Sequence, residues 1–221
     1  MSNKLDLSTT VRRISRMMGT WIFLLLTLLA LYQGEVTIFY IIYFFWWSEL
    51  LRIIAVSIIN KRNSLDADTT SKPILLISSL FMMGIYFVFI IVIFGFMANW
   101  GNDNMMIVNF QIMLFQNWFF NLNLLVVLVE LVTSSRAKNN DILQKGVFSS
   151  SMLVLHISII LGATMMFFIV KRFPETFNPK NSWGSFIIIF PFLLLRILFQ
   201  GYGKNTGDTP QVVEKPNENG L

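Results

Sequence analysis

The sequence has little of several residue types that most functional classes of protein require. Its 221 residues include 0 cysteines and 1 histidine, and only 13% are charged, whereas about 25% is usual in soluble domains. Without cysteine there is no disulfide, thiolate ligand or cysteine nucleophile, and one histidine leaves almost nothing for a metal centre. We therefore expect no metal and no cofactor.

The residues that are present are mostly apolar. Hydrophobic residues make up 55% of the chain, phenylalanine alone contributes 22, and the mean hydropathy is +0.63. Too few polar side chains remain to coat a soluble globule, and a disordered chain would be far more polar. The composition indicates a membrane protein.

Six apolar runs, two of them short, approach the roughly 20 residues that a helix needs to cross a bilayer. They are residues 17–32, 36–59, 73–97, 106–132, 148–170 and 183–199. The runs do not alternate as barrel strands would, so we expect an all-α, polytopic bundle of six transmembrane helices over residues 17–199. A basic tail (1–16) would precede it, and a flexible tail (200–221) would follow.

The distribution of lysine and arginine predicts the orientation. Of the 17 basic residues, twelve fall in the two tails and in the links after the second and fourth spans, three fall in the link after the fifth span, and two lie within spans. By the positive-inside rule both termini are cytoplasmic, in the cytoplasmic membrane. Contact with anionic lipid headgroups then explains the excess of basic over acidic residues, and no nucleic-acid partner is needed. Membrane lipids are the expected partners, together with other membrane proteins or a second copy.

Five ionisable side chains fall within spans, where each costs roughly 2.5–3.5 kcal/mol on insertion scales. They are Glu49, Arg52, Glu130, His156 and Arg196. We expect Glu49, Arg52, Asn123 and His156 to converge on one polar centre. Glu49 and Arg52 lie three residues apart on one face, which fits either a structural ion pair or a solute pathway. Arg196 and Glu130, near span ends, could instead extend toward the headgroups.

The fourth span carries a polar stripe with a seven-residue spacing, formed by Asn109, Gln116, Asn123 and Glu130, with Asn117 and Asn121 as a second edge. Such a spacing drifts only about 20° per step on a straight helix. The stripe would either bond neighbouring helices or line a hydrated path. His156, in the fifth span, is either a structural hydrogen-bonding residue or a proton relay. Ser158 and Gly162 there suit close helix packing.

Three segments together resemble a known family. Trp46-Trp47-Ser48-Glu49 followed by Asn60-Lys61, Phe119-Phe120-Asn121, and the run from Leu153 through His156 to Gly162 occur in the order of a bacterial family of six-helix membrane proteins known only as a domain of unknown function. The resemblance implies the six-helix architecture and marks Glu49 and His156, but it implies no reaction. Histidines usual in the family's third span are absent, with Tyr86 and Phe89 nearby instead.

The sequence favours a protein without enzymatic activity. It has no Gly-x-Ser-x-Gly elbow and no His-Glu-x-x-His pair, so no residue is predicted to be catalytic. We expect a polar intramembrane core that handles a small solute or protons. The alternatives are an accessory or assembly subunit of a membrane complex and, third, a membrane enzyme acting on lipid.

Overall fold

The computed structural model describes residues 18–19, 21–63, 72–100, 102–135, 150–173, 175–177 and 182–202, and most of these residues are helical. The helices are α1 (Trp21–Tyr32), α2 (Ile38–Asn63), α3 (Lys72–Phe89), α4 (Asp103–Met113), α5 (Trp118–Ser135), α6 (Ser150–Met165) and α7 (Ser182–Tyr202). No strand occurs in these ranges. The all-α prediction is confirmed.

Four segments are long and apolar enough to cross a membrane. They are Ile38–Ala55, Leu76–Asn99, Asp103–Thr133 and Met152–Val170, and two shorter apolar helices are Trp21–Tyr32 and Trp183–Leu198. Each of the six predicted apolar runs thus contains a helix. The number of crossings and the side on which the termini lie stay predictions.

Helix α2 is the centre of the bundle. Every residue from Ile38 to Trp46 is buried, because α2 packs against α3, α4, α5, α6 and α7. Its first turn is capped by the Thr37 hydroxyl, which accepts a hydrogen bond from the Tyr40 amide at 3.1 Å. A helix that is surrounded on all sides has no water-facing side that would require polar residues, which explains its continuous apolar sequence.

The fourth apolar run is not the single helix that the sequence predicted. Helix α4 ends at Met113, and a turn over residues 114–117 separates it from α5. Phe115 in this turn has a φ of 59°, a left-handed conformation that ends a helix. The turn changes the register, so the seven-residue polar stripe is wrong: Asn109 and Asn123 are buried, whereas Gln116 is exposed.

Two helices lose regular α geometry at one end of the bundle. Helix α3 continues as a π-helical segment, Ile90–Phe96, and a 3₁₀ turn, Met97–Asn99. Helix α6 continues as a π-helical segment, Met166–Val170. Such departures from α geometry leave carbonyls without their regular partners, and two asparagine amides, of Asn99 and Asn109, donate to the Phe94 carbonyl at 2.8 and 3.2 Å.

These ends lie together at the start of α2, because Asn109 accepts a hydrogen bond from Thr37 and because Thr37, Phe94, Met166 and Val170 border one cleft. We call this the upper end of the bundle, and the end where α2 finishes the lower end. The predicted tail 1–16 and most of the tail 200–221 lie outside the described residues. Helix α7 extends to Tyr202, three residues beyond the predicted end of the sixth span, and the domain boundaries stay predictions.

Candidate functional site

Glu49 and Arg52 form an ion pair along one face of α2, as the three-residue spacing predicted. The guanidinium donates from Nε to Oε2 at 2.8 Å and from Nη2 to Oε1 at 2.5 Å. The glutamate side chain is 2% exposed and the arginine side chain 22% exposed. Two parallel hydrogen bonds fix both side chains, so the buried carboxylate is held by its own helix.

Arg196 of α7 is half-buried and packs against aromatic rings of α1 and α2. Its guanidinium carbon lies 4.0 Å from the ring centre of Phe23 and 4.9 Å from that of Phe44, distances typical of cation–π contact. Glu130 of α5 is the carboxylate that interacts with it electrostatically. The same carboxylate lies against Gly19, where an added Cβ would be 2.9 Å from Oε2. These contacts join α1, α2, α5 and α7 at the lower end.

Asn123 occupies a separate, fully buried position between α1, α2 and α5. Its amide donates to the Tyr40 hydroxyl at 2.8 Å and to the Thr27 hydroxyl at 3.5 Å. All three side chains are completely buried. This contact matches the helix-to-helix interpretation of the polar residues in the fourth span.

Asn117 and Asn121 organise the turn before α5. Asn117 caps α5 by accepting from the Phe120 amide at 2.9 Å, and it donates to the Glu35 carboxylate at 3.0 Å. Asn121 donates to the carbonyl of Phe115, the residue with positive φ, at 2.6 Å. Both asparagines therefore stabilise a local backbone conformation and the join to α2.

His156 lies on the outer surface of α6 and is exposed. Its Nδ1 is 3.0 Å from the hydroxyl of Tyr86 on α3. Tyr86 itself is buried. The pair bridges two helices that both pack against α2.

The predicted convergence of Glu49, Arg52, Asn123 and His156 on one polar centre stays a prediction. In the structure, His156 hydrogen-bonds Tyr86, and Asn123 hydrogen-bonds Tyr40 and Thr27.

A narrow cleft with a free volume of about 40 Å³, partly open to the outside, lies at the upper end. It is bordered by the first turn of α2, both π-helical segments and the start of α7. Its polar side chains are Thr37, Asn99 and Ser185, and its remaining lining is apolar or aromatic. The lining includes no charged side chain.

Sequence patterns did not indicate this cleft. Thr37 falls within an apolar run, Asn99 lies two residues beyond the end of another, and neither is ionisable. The one signal was the position of polar residues beside helix ends, which is common enough to pass unnoticed. Burial of Thr37, Asn99 and Asn109 in one network is visible only once the helices are assembled.

Comparison of the chain with protein-family models, with curated proteins and with solved structures finds no match. The resemblance to the family of unknown function therefore stays a prediction. In the part of the chain that the structure describes, no three histidine, cysteine, aspartate or glutamate side chains come together as a metal site would require. The described fold defines a class: a helical protein with four helices suited to membrane crossing.

Proposed function

We propose that the chain is an integral protein of the cytoplasmic membrane, and that the upper cleft binds a small, uncharged and mostly apolar solute. The observation that carries the proposal is the cleft itself, bordered by both π-helical segments and lined by neutral side chains. Irregular backbone at membrane depth is tolerated where it is buried or lines a cavity, and π-helical segments are frequent at functional sites.

The chemistry of the lining supports an uncharged ligand. An ion would lose hydration on entering an apolar cleft and would gain no counter-charge, whereas Thr37, Asn99 and Ser185 can exchange hydrogen bonds with hydroxyl or carbonyl groups. Apolar pockets with a few placed polar groups are typical of small-molecule sites. The cleft therefore favours a solute over the proton pathway that the sequence also allowed.

The proposed topology has six transmembrane helices and cytoplasmic termini. It rests on the charge asymmetry between links and on the helix in each apolar run. The lower end, with Lys61 and Arg62 in the last turn of α2, would face the cytoplasm. The cleft would then open toward the opposite side.

Ligand class is tested by thermal unfolding of the protein in lipid nanodiscs, with 1-decanol and decanoate as matched probes. We expect decanol to raise the Tm and decanoate to leave it unchanged, since binding to the folded state stabilises it. Ala98→Phe, which places a ring in the cleft, should abolish the decanol shift.

Met97→Phe is the matched control, because Met97 adjoins Ala98 and is exposed but does not line the cleft. It should retain the decanol shift, and any effect of decanol on the lipid is the same for both variants. An equal shift in both variants, or a larger shift with decanoate, contradicts the proposal.

A second candidate function, an accessory subunit of a membrane complex, is favoured by His156. An exposed imidazole among lipid-facing apolar residues is unusual, because ionisable groups in membranes generally face protein or water. A neighbouring subunit would cover it. Native mass measurement of the gently extracted protein tests this, with Leu153→Ala, another exposed α6 position, as the control. A larger assembly that is lost in His156→Leu but kept in Leu153→Ala supports the candidate function. A monomer in the unmodified protein and in both variants opposes it.

A further inference from the structure

The segment from Asp103 to Thr133 is too long for one straight crossing. Its 31 residues would extend about 46 Å as a continuous helix, against about 30 Å of hydrocarbon. The turn over residues 114–117 divides it into α4 and α5. Only one of these two helices has to cross.

Helix α5 begins at the level at which α2 begins. Asn117, its cap, bonds Glu35 just before α2, and Asn123, six residues on, bonds Tyr40, five residues after Glu35. The two helices therefore run parallel from the upper end, and residues at equal distances from their starts lie at the same level. The 18 residues of α5 extend about 27 Å, which is close to a full crossing.

Helix α4 adds no depth to that crossing. Asn109 bonds Thr37 and Asn117 bonds Glu35. These asparagines are eight residues apart, which along the membrane normal would separate them by about 12 Å. Their partners are only two residues apart, so α4 lies across the upper end instead of descending beside α2.

Exposed tryptophans on both sides of α4 support this placement across the upper end. Trp100, three residues before α4, is 81% exposed, and Trp118, the first residue of α5, is 70% exposed. Exposed indoles concentrate at membrane–water interfaces. Trp183 at the start of α7 and Tyr32 at the end of α1 are also exposed at this end. Both ends of α4 therefore lie at one level.

The faces of α4 match that placement. Asn109 and Ile112 are buried against the bundle; Ile107, Phe110 and Leu114 form an exposed apolar stripe, and Asn104 and Gln111 form an exposed polar edge about 80° away. A helix buried on one side, apolar on the second and polar on the third fits the junction of bundle, lipid and water.

We propose that α4 lies in the plane of the membrane interface, with lipid as the partner of its Ile107–Phe110–Leu114 stripe, and that α5 alone makes the fourth crossing. This inference concerns the depth of α4 in the proposed membrane, and it does not depend on which ligand the cleft binds.

Nitroxide depth measurements on single-cysteine variants in lipid bilayers test it, since the chain has no native cysteine to remove. Ile107→Cys on α4 and Leu114→Cys at its C-terminal cap are seven residues apart, and Leu125→Cys and Val132→Cys are a matched pair on exposed positions of α5. We expect the α4 pair to lie at equal, shallow depths and the α5 pair to differ by about 10 Å.

A 10 Å difference within the α4 pair, or equal depths near the bilayer centre, overturns the proposal. Labelling of Gln111→Cys by a membrane-impermeant maleimide gives a second reading that needs no nitroxide. Rapid labelling at Gln111, with none at Leu125→Cys, is expected, and protection of Gln111 contradicts the interfacial placement.

Discussion

Gly162 lets α6 approach the central helix closely. A Cβ at this position would lie 2.5 Å from Cδ1 of Ile42 and 3.0 Å from Cε1 of Phe94. The sequence predicted close packing at Gly162 from its spacing with Ser158, and the structure confirms it. Packing of this kind is a main source of stability between helices in lipid, where no hydrophobic force joins them.

We predict that Gly162→Ala lowers the free energy of unfolding by about 1–3 kcal/mol, because the new methyl overpacks the contact. Gly84→Ala is the matched control, since nothing lies within 4 Å of a Cβ there. It should be neutral or stabilise by up to about 1 kcal/mol through helix propensity. Thermal unfolding in detergent measures both, and adding Ile42→Val to Gly162→Ala should recover part of the loss. Equal effects at the two glycines contradict the packing account.

The Glu49–Arg52 pair allows a second test at the level of single residues. Glu49→Gln and Arg52→Gln should each destabilise by about 1–3 kcal/mol, less than the 3–5 kcal/mol of a fully buried pair because Arg52 is partly exposed. The double substitution should lose less than the sum, since it leaves neither charge without the other. Additive losses in a double-mutant cycle of unfolding free energies would show that the pair is not coupled.

At the scale of elements, asparagine side chains hydrogen-bond the backbone at the upper end of the bundle. The Phe94 carbonyl, within a π-helical segment, is bonded by Asn99 and Asn109, and Asn109 in turn bonds Thr37. One asparagine therefore ties α4 to both α2 and the end of α3.

We predict that Asn109→Leu destabilises by about 1–3 kcal/mol, because the Thr37 hydroxyl and the Phe94 carbonyl each lose a buried partner. Gln116→Leu, at an exposed position, should change stability by less than about 0.5 kcal/mol. Chemical unfolding of both variants measures the difference. If the polar stripe with seven-residue spacing were continuous, the two substitutions would lower the free energy of unfolding by similar amounts, and that result would contradict this account.

Apolar length predicted where helices lie, and helix spacing predicted the Glu49–Arg52 pair. The sequence could not reveal the turn at Phe115, because residues 114–117 are as compatible with a helix as their neighbours and the left-handed conformation is fixed by the Asn121 bond to Phe115. It also could not show that His156 faces outward, since a single histidine in an apolar run carries no information about which face is buried.

At the scale of the whole molecule, the two ends of the bundle differ in chemistry. Exposed aromatic residues at the upper end include Tyr32, Trp100, Trp118 and Trp183, whereas the half-buried Arg196 and Glu130 lie at the lower end. The upper end also holds the neutral cleft. The side on which a solute would enter therefore depends on how the chain is threaded.

Cysteine accessibility in intact cells tests the threading most directly. Ser2→Cys and Asn217→Cys report on the two termini, and Asn102→Cys and Glu175→Cys report on the upper links, in a chain that has no other cysteine. We predict that an impermeant maleimide added outside labels Asn102 and Glu175 at once, and labels Ser2 and Asn217 only after the membrane is permeabilised. Labelling of one terminus from outside would mean an odd number of crossings and would contradict the six-helix account.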